Sequence, residues 1–509
     1  MADPRQTQQP DPYPAMPPLI RKSMESGLIT LAAVNENRRP LTSVSESVNF
    51  DFDTIGSAKL RPGITQLGNT LASSDIMGLY YFVDSVNATP KTQLIVVNAG
   101  TAYYLSGGSY TQIRAGLTQT SKARFSTFLN FAFMVNGTES TAIWDGNTAG
   151  SFVTTGNALN APTGKFIENY RSRMWIAGNT TYPDRLYYSS VPSAVGTPII
   201  TWNTDPTTGL WIDISPSDGE NITGLMRSRN ALLVFKPNHL YRVYSIGQTD
   251  PDPYFAVGTS SQESIVETKS GVYFHHSTGF YQYNTYGVIQ EISRPIIDLV
   301  RAIPASSWPK VTAVLDPYGD RISWAVGDVT VKGITYKNLV LRYTISTQVW
   351  TMRSYPSQFV MGTRRYPLYT DGTNNFVLVG DTGGKVYQYD LGKDDAGVPI
   401  AYSLIHSWDI IDGTLSTRNT IMTGLFTHTG GTGTKVQYQI EDVTEGVDPE
   451  NDWTKEAGQL KNQDTGFNTM NIKARKVRFR ISGVSSGEPF EYKGYELIGV
   501  TEEFIQFSN

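Results

Sequence analysis

The chain contains no cysteine. Disulfides, thiolate nucleophiles, Cys-ligated zinc and iron–sulfur clusters are therefore excluded. Charge is also sparse: Asp, Glu, Lys and Arg make up 17% of the residues, against roughly 25% in ordinary soluble domains. With a net charge of −4 and a pI of about 5.8, the chain lacks the basic excess that displaces counterions from nucleic acid. No stretch approaches the ~18 consecutive apolar residues of a membrane-spanning helix. The start, MADPRQTQQPDPYPAMPPL, has no apolar core of a signal peptide. The sequons at Asn87 and Asn221 then read as chance, and folding in a reducing cytoplasm is expected. No GxxxxGK[ST] is present, so a P-loop is excluded.

What is present points to strands and turns. The 509 residues predict two or three domains. There are 29 Tyr and 46 Gly, spread along the chain; Tyr suits pleated surfaces and Gly suits tight turns. Residues 1–40 read as a Pro-rich arm and entry segment, with six prolines in the first nineteen positions. Two readings of the arm stay open, a flexible tail and an arm laid on a neighbouring subunit.

From residue 94 a hairpin pattern recurs: 94–105, 131–146, 173–190, 231–245, 271–284, 321–344 and 376–390. Each second strand carries a large apolar or aromatic anchor, namely Tyr104, Trp144, Tyr187, Tyr241, Tyr281, Leu341 and Tyr387. The anchors recur at roughly the 40–50 residues of a four-stranded propeller blade. The expected fold is all-β: a β-propeller of six to eight blades over residues 41–398, then a C-terminal β-sandwich over 399–509. A helical turn is allowed at IIDLVRAI (296–303). Val48–Phe52 or Ala58–Ile64 is expected to close the propeller beside the strands at 376–390.

Candidate chemistry is thin. Asn49, Asp51 and Asp53 with Gly56 resemble the start of a calcium loop, but Pro62 occupies the twelfth position, where a bidentate Glu is needed. His275 and His276 are adjacent, so on a strand they face opposite ways and cannot share a metal. His239, His406 and His428 lack ligand spacing. A glycan-cleaving site needs paired carboxylates. The candidates, Asp145, Asp184, Asp371 and Asp381, all sit in turn-like sequence, where Asp is ordinary. No catalytic residue, cofactor or metal site is expected.

Two charged stretches in the last domain are more informative. NIKARKVRFRISG holds Lys473, Arg475, Lys476, Arg478 and Arg480; the last three alternate with Val477, Phe479 and Ile481, giving a strand with one basic and one apolar face. EDVTEGVDPENDW carries Glu441, Asp442, Glu445, Asp448, Glu450 and Asp452. The two could meet across a subunit boundary and set register by complementary charge; a solvated basic face beside an acidic loop is the alternative.

The stretch Val48–Asp53, Gly56 and Lys59-Leu60-Arg61-Pro62-Gly63-Ile64, together with the ending FEYKGYELIGVTEEF (490–504), resembles the tail nozzle (hub) proteins of short-tailed bacteriophages. The resemblance implies a non-enzymatic virion protein, assembled in the host cytoplasm. It would form a ring, six-fold in that family, below the portal and adaptor, and carry fibres or a needle. Packaged DNA would pass through without sequence-specific binding. It supplies no catalytic residues. A receptor- or glycan-binding propeller, with aromatics such as Tyr283 or Trp324 at blade mouths, is the alternative function.

Overall fold

The structure is a computed structural model that describes residues 19–22, 27–28, 43–53, 56–84, 91–147, 153–154, 161–192, 200–203, 210–246, 248–251, 256–410, 420–431, 433–442, 446–447, 452–460, 465–472, 476–485 and 487–501. The chain folds as two units, one of residues 61–400 and one of residues 43–60 with 401–501.

The larger unit is a seven-bladed β-propeller. Blades 1 to 6 are each built of four antiparallel strands, over residues 76–114, 124–154, 166–213, 224–251, 266–291 and 312–354. Blade 7 takes Phe359–Gly362, Asn375–Asp381 and Val386–Tyr389. Each hairpin legible in the sequence is the central strand pair of one blade. The anchors Tyr104, Trp144, Tyr187, Tyr241, Leu341 and Tyr387 are buried. Successive blades are cemented by apolar clusters, because one blade face alone cannot exclude water. Ile95, Val97 and Trp144 join blades 1 and 2, while Tyr81, Val96 and Leu378 join blades 7 and 1.

Between blades 5 and 6 the packing is aromatic. The Phe280 ring lies 4.7 Å from Trp324 and 5.3 Å from Trp350. Each indole N–H is satisfied by a carbonyl, Ser264 for Trp324 and Ile292 for Trp350. Burying such rings contributes about 3 kcal/mol each. The helical turn allowed at 296–303 is present as Ile297–Arg301.

The blade-7 sheet is completed from the start of the unit. Ile64–Gln66 runs antiparallel to Val386–Tyr389, with Ile64 opposite Tyr389 and Gln66 opposite Tyr387. This corrects the expected closing strand. Ala58–Leu60 pairs instead with Phe50–Asp51 and with Glu491 and Tyr492. The physical reason lies at Pro62 and Gly63. Proline has no N–H to give a ladder, and Gly63 sits so close to the chain that a Cβ there would fall 1.7 Å from the Asp394 carbonyl oxygen. Pairing therefore resumes only at Ile64. Arg61 holds the entry: its guanidinium meets both Asp395 oxygens at 2.8 and 2.6 Å, gives an N–H to Ser354 O at 2.8 Å, and lies 4.0 Å over the Tyr355 ring.

The smaller unit is a β-sandwich of two antiparallel sheets. One holds Ser43–Val48, Ala401–His406, Lys476–Val484 and Lys435–Asp442 in that order. The other holds Thr465–Ile472, Thr420–Thr429, Glu491–Thr501 and Ala58–Leu60. Phe426, Phe479, Tyr495 and His406 pack between them, with Phe479 4.9 Å and His406 4.7 Å from Tyr495. The expected propeller start at residue 41 is thereby moved. Ser43–Val48 buries Val44 and Ser47 and pairs them with His406 and Leu404, with a bulge between Val44 and Glu46. Leu19–Lys22, from the Pro-rich arm, adds a strand along Leu497 and Ile498. Residues 1–18 lie outside the described residues.

Candidate functional site

The candidates read from the sequence are mostly structural. Asp145, Asp371 and Asp381 accept backbone N–H groups two residues on, at 2.8 to 2.9 Å, which is turn capping. Asp184 binds the fully buried Lys236 Nζ at 2.9 Å, alongside Asp218. His276 meets Thr278, and His239 meets Glu220 at 2.9 Å. His406 lies 3.1 Å from the Tyr492 hydroxyl, and His428 donates to Gly430 O. His275 is buried against Phe280, and burial pulls its pKa down to about 3, helped by His276. Among the described residues no cluster of His, Asp and Glu could hold a metal.

In the sandwich, Lys476 Nζ meets Glu441 Oε2 at 2.8 Å across neighbouring strands of the same sheet. Arg478 is buried, donates to Gln439 Oε1 at 2.7 Å, and stacks over Trp408 and Trp453. Arg480 approaches Ser403 Oγ at 3.3 Å. Asp452 caps a turn through Thr454 N at 3.1 Å. The chain itself thus supplies partners for Glu441, Lys476, Arg478, Arg480 and Asp452. Lys473, Arg475, Glu445, Asp448 and Glu450, and the side chain of Asp442, lie outside the described residues.

A site that the sequence reading missed stands at the propeller axis. The first strands of blades 1 to 4, the turn before blade 5 and the segment after Phe359–Gly362 surround a cavity of about 180 Å³. Its charged lining is Arg124, Arg227, Arg364 and Arg365 against the single carboxylate Glu168. Arg124, Glu168 and Arg227 come from the first strands of blades 2, 3 and 4, and Arg364 and Arg365 from one loop after Phe359–Gly362, since inner-strand residues of successive blades converge there.

The arginines are held from behind. Glu263, fully buried, meets Arg124 Nε at 2.7 Å and Lys122 Nζ at 3.4 Å. Burial alone would raise the pKa of Glu263, but Arg124, Lys122 and Arg364 hold it well below the carboxylate range. Arg365 meets Glu168 at 2.5 Å. Arg227 donates to Asn169 Oδ1 at 2.8 Å and lies 3.7 Å from Glu267. Arg364 donates to two carbonyls, Gln262 O and Ile265 O. Burial lowers its pKa to about 10 despite the opposing pull of Glu263. Five cations thus face three carboxylates, Glu168, Glu263 and Glu267. Such an excess in a low-dielectric site attracts anions far more strongly than on an open surface.

No family model and no curated protein matches the chain. Three solved structures show a distant likeness. One is described as the extracellular domain of a hybrid two-component system of B. thetaiotaomicron, with TM-score 0.41 and 14% identity; the match covers 64% of this chain but 39% of that one. A second, BBS1N in complex with ARL6DN, has TM-score 0.41 and 8% identity over 64% of this chain and 97% of that chain. A third, YCF48 bound to a peptide, has TM-score 0.39 and 13% identity over 66% and 96%. At these scores the likenesses carry nothing about ligands or partners, and the propeller stands on its own strand pairing.

A second cavity, about 440 Å³, opens between blades 4 and 5. Arg229, Arg242, Lys269, Tyr244, Tyr283 and Tyr286 line it, and Tyr286 is 90% exposed. Trp324, the other aromatic suggested for a blade mouth, is fully buried and is not available to a ligand.

Proposed function

We propose that the chain is a non-enzymatic structural protein of a bacteriophage tail, nozzle-like, that works by assembling into a ring around a DNA channel. One observation carries this reading. The two stretches that bear the family resemblance are hydrogen-bonded neighbours: Ala58 and Lys59 pair with Tyr492 and Glu491, and Leu60 N donates to Phe490 O at 2.9 Å. The same stretch then crosses into the propeller, pins it through Arg61 and completes blade 7 through Ile64. The likeness therefore falls on residues that hold the architecture together, as expected for an assembly part. In this reading the partners are further copies of the chain, the portal and adaptor, and fibre or needle proteins. The location is the virion tail.

Electron microscopy of the purified chain, alone and with the portal–adaptor complex, tests the proposal. Rings, six-fold by the resemblance, support it. A particle that stays monomeric at every concentration and ignores the portal complex overturns it.

The cleft between blades 4 and 5 favours a second reading, a receptor-glycan-binding propeller, because tyrosine faces beside arginines suit acidic sugars. Saturable binding to host polysaccharide, lost on Tyr286→Ala, would select that reading.

A further inference from the structure

The axial cavity holds a feature that neither reading of the function uses. A buried ion pair can match charge for charge, as Arg61 and Asp395 do. The cavity does not: four guanidinium groups line it, and with Lys122 behind them five cations face the three carboxylates Glu168, Glu263 and Glu267. Arg364 is the clearest case. Its side chain is half-buried, its contacts are carbonyl oxygens, and among the described residues no carboxylate lies within ion-pair distance of it. Removing such a cation from water is expensive unless a counter-charge arrives. The cavity beside it, at about 180 Å³, has room for several waters or one small ion.

The neighbours suit an oxyanion. Guanidinium groups present paired N–H donors at the spacing of two oxygens on one centre, and bind them bidentately. Neutral donors and acceptors complete the wall: Asn169 is held by its N–H group on Thr127 O at 2.6 Å, and the Tyr80 hydroxyl lies 2.6 Å from Thr127 Oγ1. These polar groups are fixed in place before any ligand enters, which lowers the ordering cost of binding. The apolar walls, from Leu79, Ile167, Met226 and Met361, limit the size of what fits.

We propose that the axial cavity of the propeller is a binding site for one small polyvalent oxyanion, of the phosphate, sulfate or polycarboxylate class, held by Arg364, Arg365, Arg227 and Arg124. Bound there, the ion neutralises the surplus charge and ties together blades 2, 4 and 7, so it also stiffens the ring. The site is independent of what the chain assembles with.

Isothermal titration of the full chain with inorganic phosphate, sulfate and citrate, each at one fixed ionic strength set with sodium chloride, tests this. Saturable one-to-one binding of at least one of the three is expected, together with a rise in melting temperature that follows the concentration of that ion. The three arms identify which oxyanion chemistry is preferred. The paired change Arg365→Met with Glu168→Gln removes one cation and its counter-charge together, and is expected to weaken binding by about tenfold or more. Should that pair not fold, Arg227→Gln, at a partly exposed position, is read instead and is expected to weaken binding in the same direction. Arg185→Gln, on the third strand of blade 3 and paired with Asp213 of the outer strand, is expected to leave affinity unchanged. Heat and melting shifts that track ionic strength alone, or affinity equal in wild type and the Arg365 or Arg227 variants, overturn the proposal.

Discussion

Two buried charge groups in the propeller look alike, each with more cations than carboxylates, and differ in the space they surround. At the entry to blade 7, Arg61 meets Asp395 with both oxygens, and Arg353 and Arg342 share Asp390. Carbonyls and tyrosine rings take up the remaining donors of Arg61. At the axis, five cations lie near three carboxylates around open space. The first arrangement fills its volume and fixes one chain path. The second leaves both volume and charge over. Charge spent on fixing a chain path marks a brace, and surplus charge around a cavity marks a place for a ligand.

The comparison breaks most sharply at Arg61. Arg61→Met leaves Asp395 buried without its partner and loosens the closing strand. Loss of one member of a buried pair costs about 3–5 kcal/mol, so the urea midpoint of the propeller should fall steeply. A change below ~1 kcal/mol would show that closure rests on Ile64–Gln66 alone.

The axial cluster should respond less, and unequally by sign. Glu263→Gln removes the counter-charge of Lys122 and Arg124, which are partly exposed and can turn to cavity water. The expected loss is about 2–3 kcal/mol. The same change should tighten phosphate binding, because the surplus positive charge grows. It should also flatten the acid side of the stability profile. Burial would push the pKa of Glu263 up, but the cations hold it below its unfolded value. Its contribution is therefore present above the unfolded Glu value, near ~4.3, and is lost as pH falls below it. Denaturation curves from pH 7 downward, wild type against Glu263→Gln, check both the size and the direction.

A third buried group has no counter-charge at all. Among the described residues neither ring nitrogen of the buried His275 has a hydrogen-bond partner, and its pKa is lowered to about 3. The unfolded chain binds a proton near ~6.5 that the folded chain refuses until far lower pH. Stability should thus decline as pH falls between those two values. His275→Phe should be within about 1 kcal/mol of wild type at pH 7 and should decline less on acidification. An unchanged slope would place the acid sensitivity elsewhere, with Glu263 the next candidate.

How much of this could be read from the sequence follows from how local each feature is. The seven central hairpins were legible because strand, turn and strand follow one another directly in the sequence, as at Leu94–Leu105. Outer strands were not, since some are as short as Val153–Thr154. The closing strand Ile64–Gln66 is three residues long and finds its partner more than three hundred positions away. The start of the sandwich was hidden for the same reason: Ser43–Val48 pairs with Ala401–His406. The axial site was invisible to spacing, because Arg124, Glu168, Arg227, Glu263 and Arg364 come from separate parts of the ring. One signal existed, the Arg364-Arg365 pair in a chain poor in charge. Its meaning depends on the fold that gathers the others.

The smallest effect is expected in the sandwich. Lys476 and Glu441 form a cross-strand pair whose side chains are each about one-fifth exposed. Solvent screens such a pair, and exposed ion pairs contribute about 0–1 kcal/mol. Lys476→Gln and Glu441→Gln, singly and together, should therefore shift the stability of the isolated chain by less than that, with a coupling energy near the lower end in a double-mutant cycle. Their effect on assembly is a separate measurement. If the basic strand also sets register between subunits, the same substitutions will weaken the ring by more than they destabilise the chain, and the difference will shrink as salt is raised. If the pair serves the sheet alone, sedimentation of the variants will match wild type at every salt concentration.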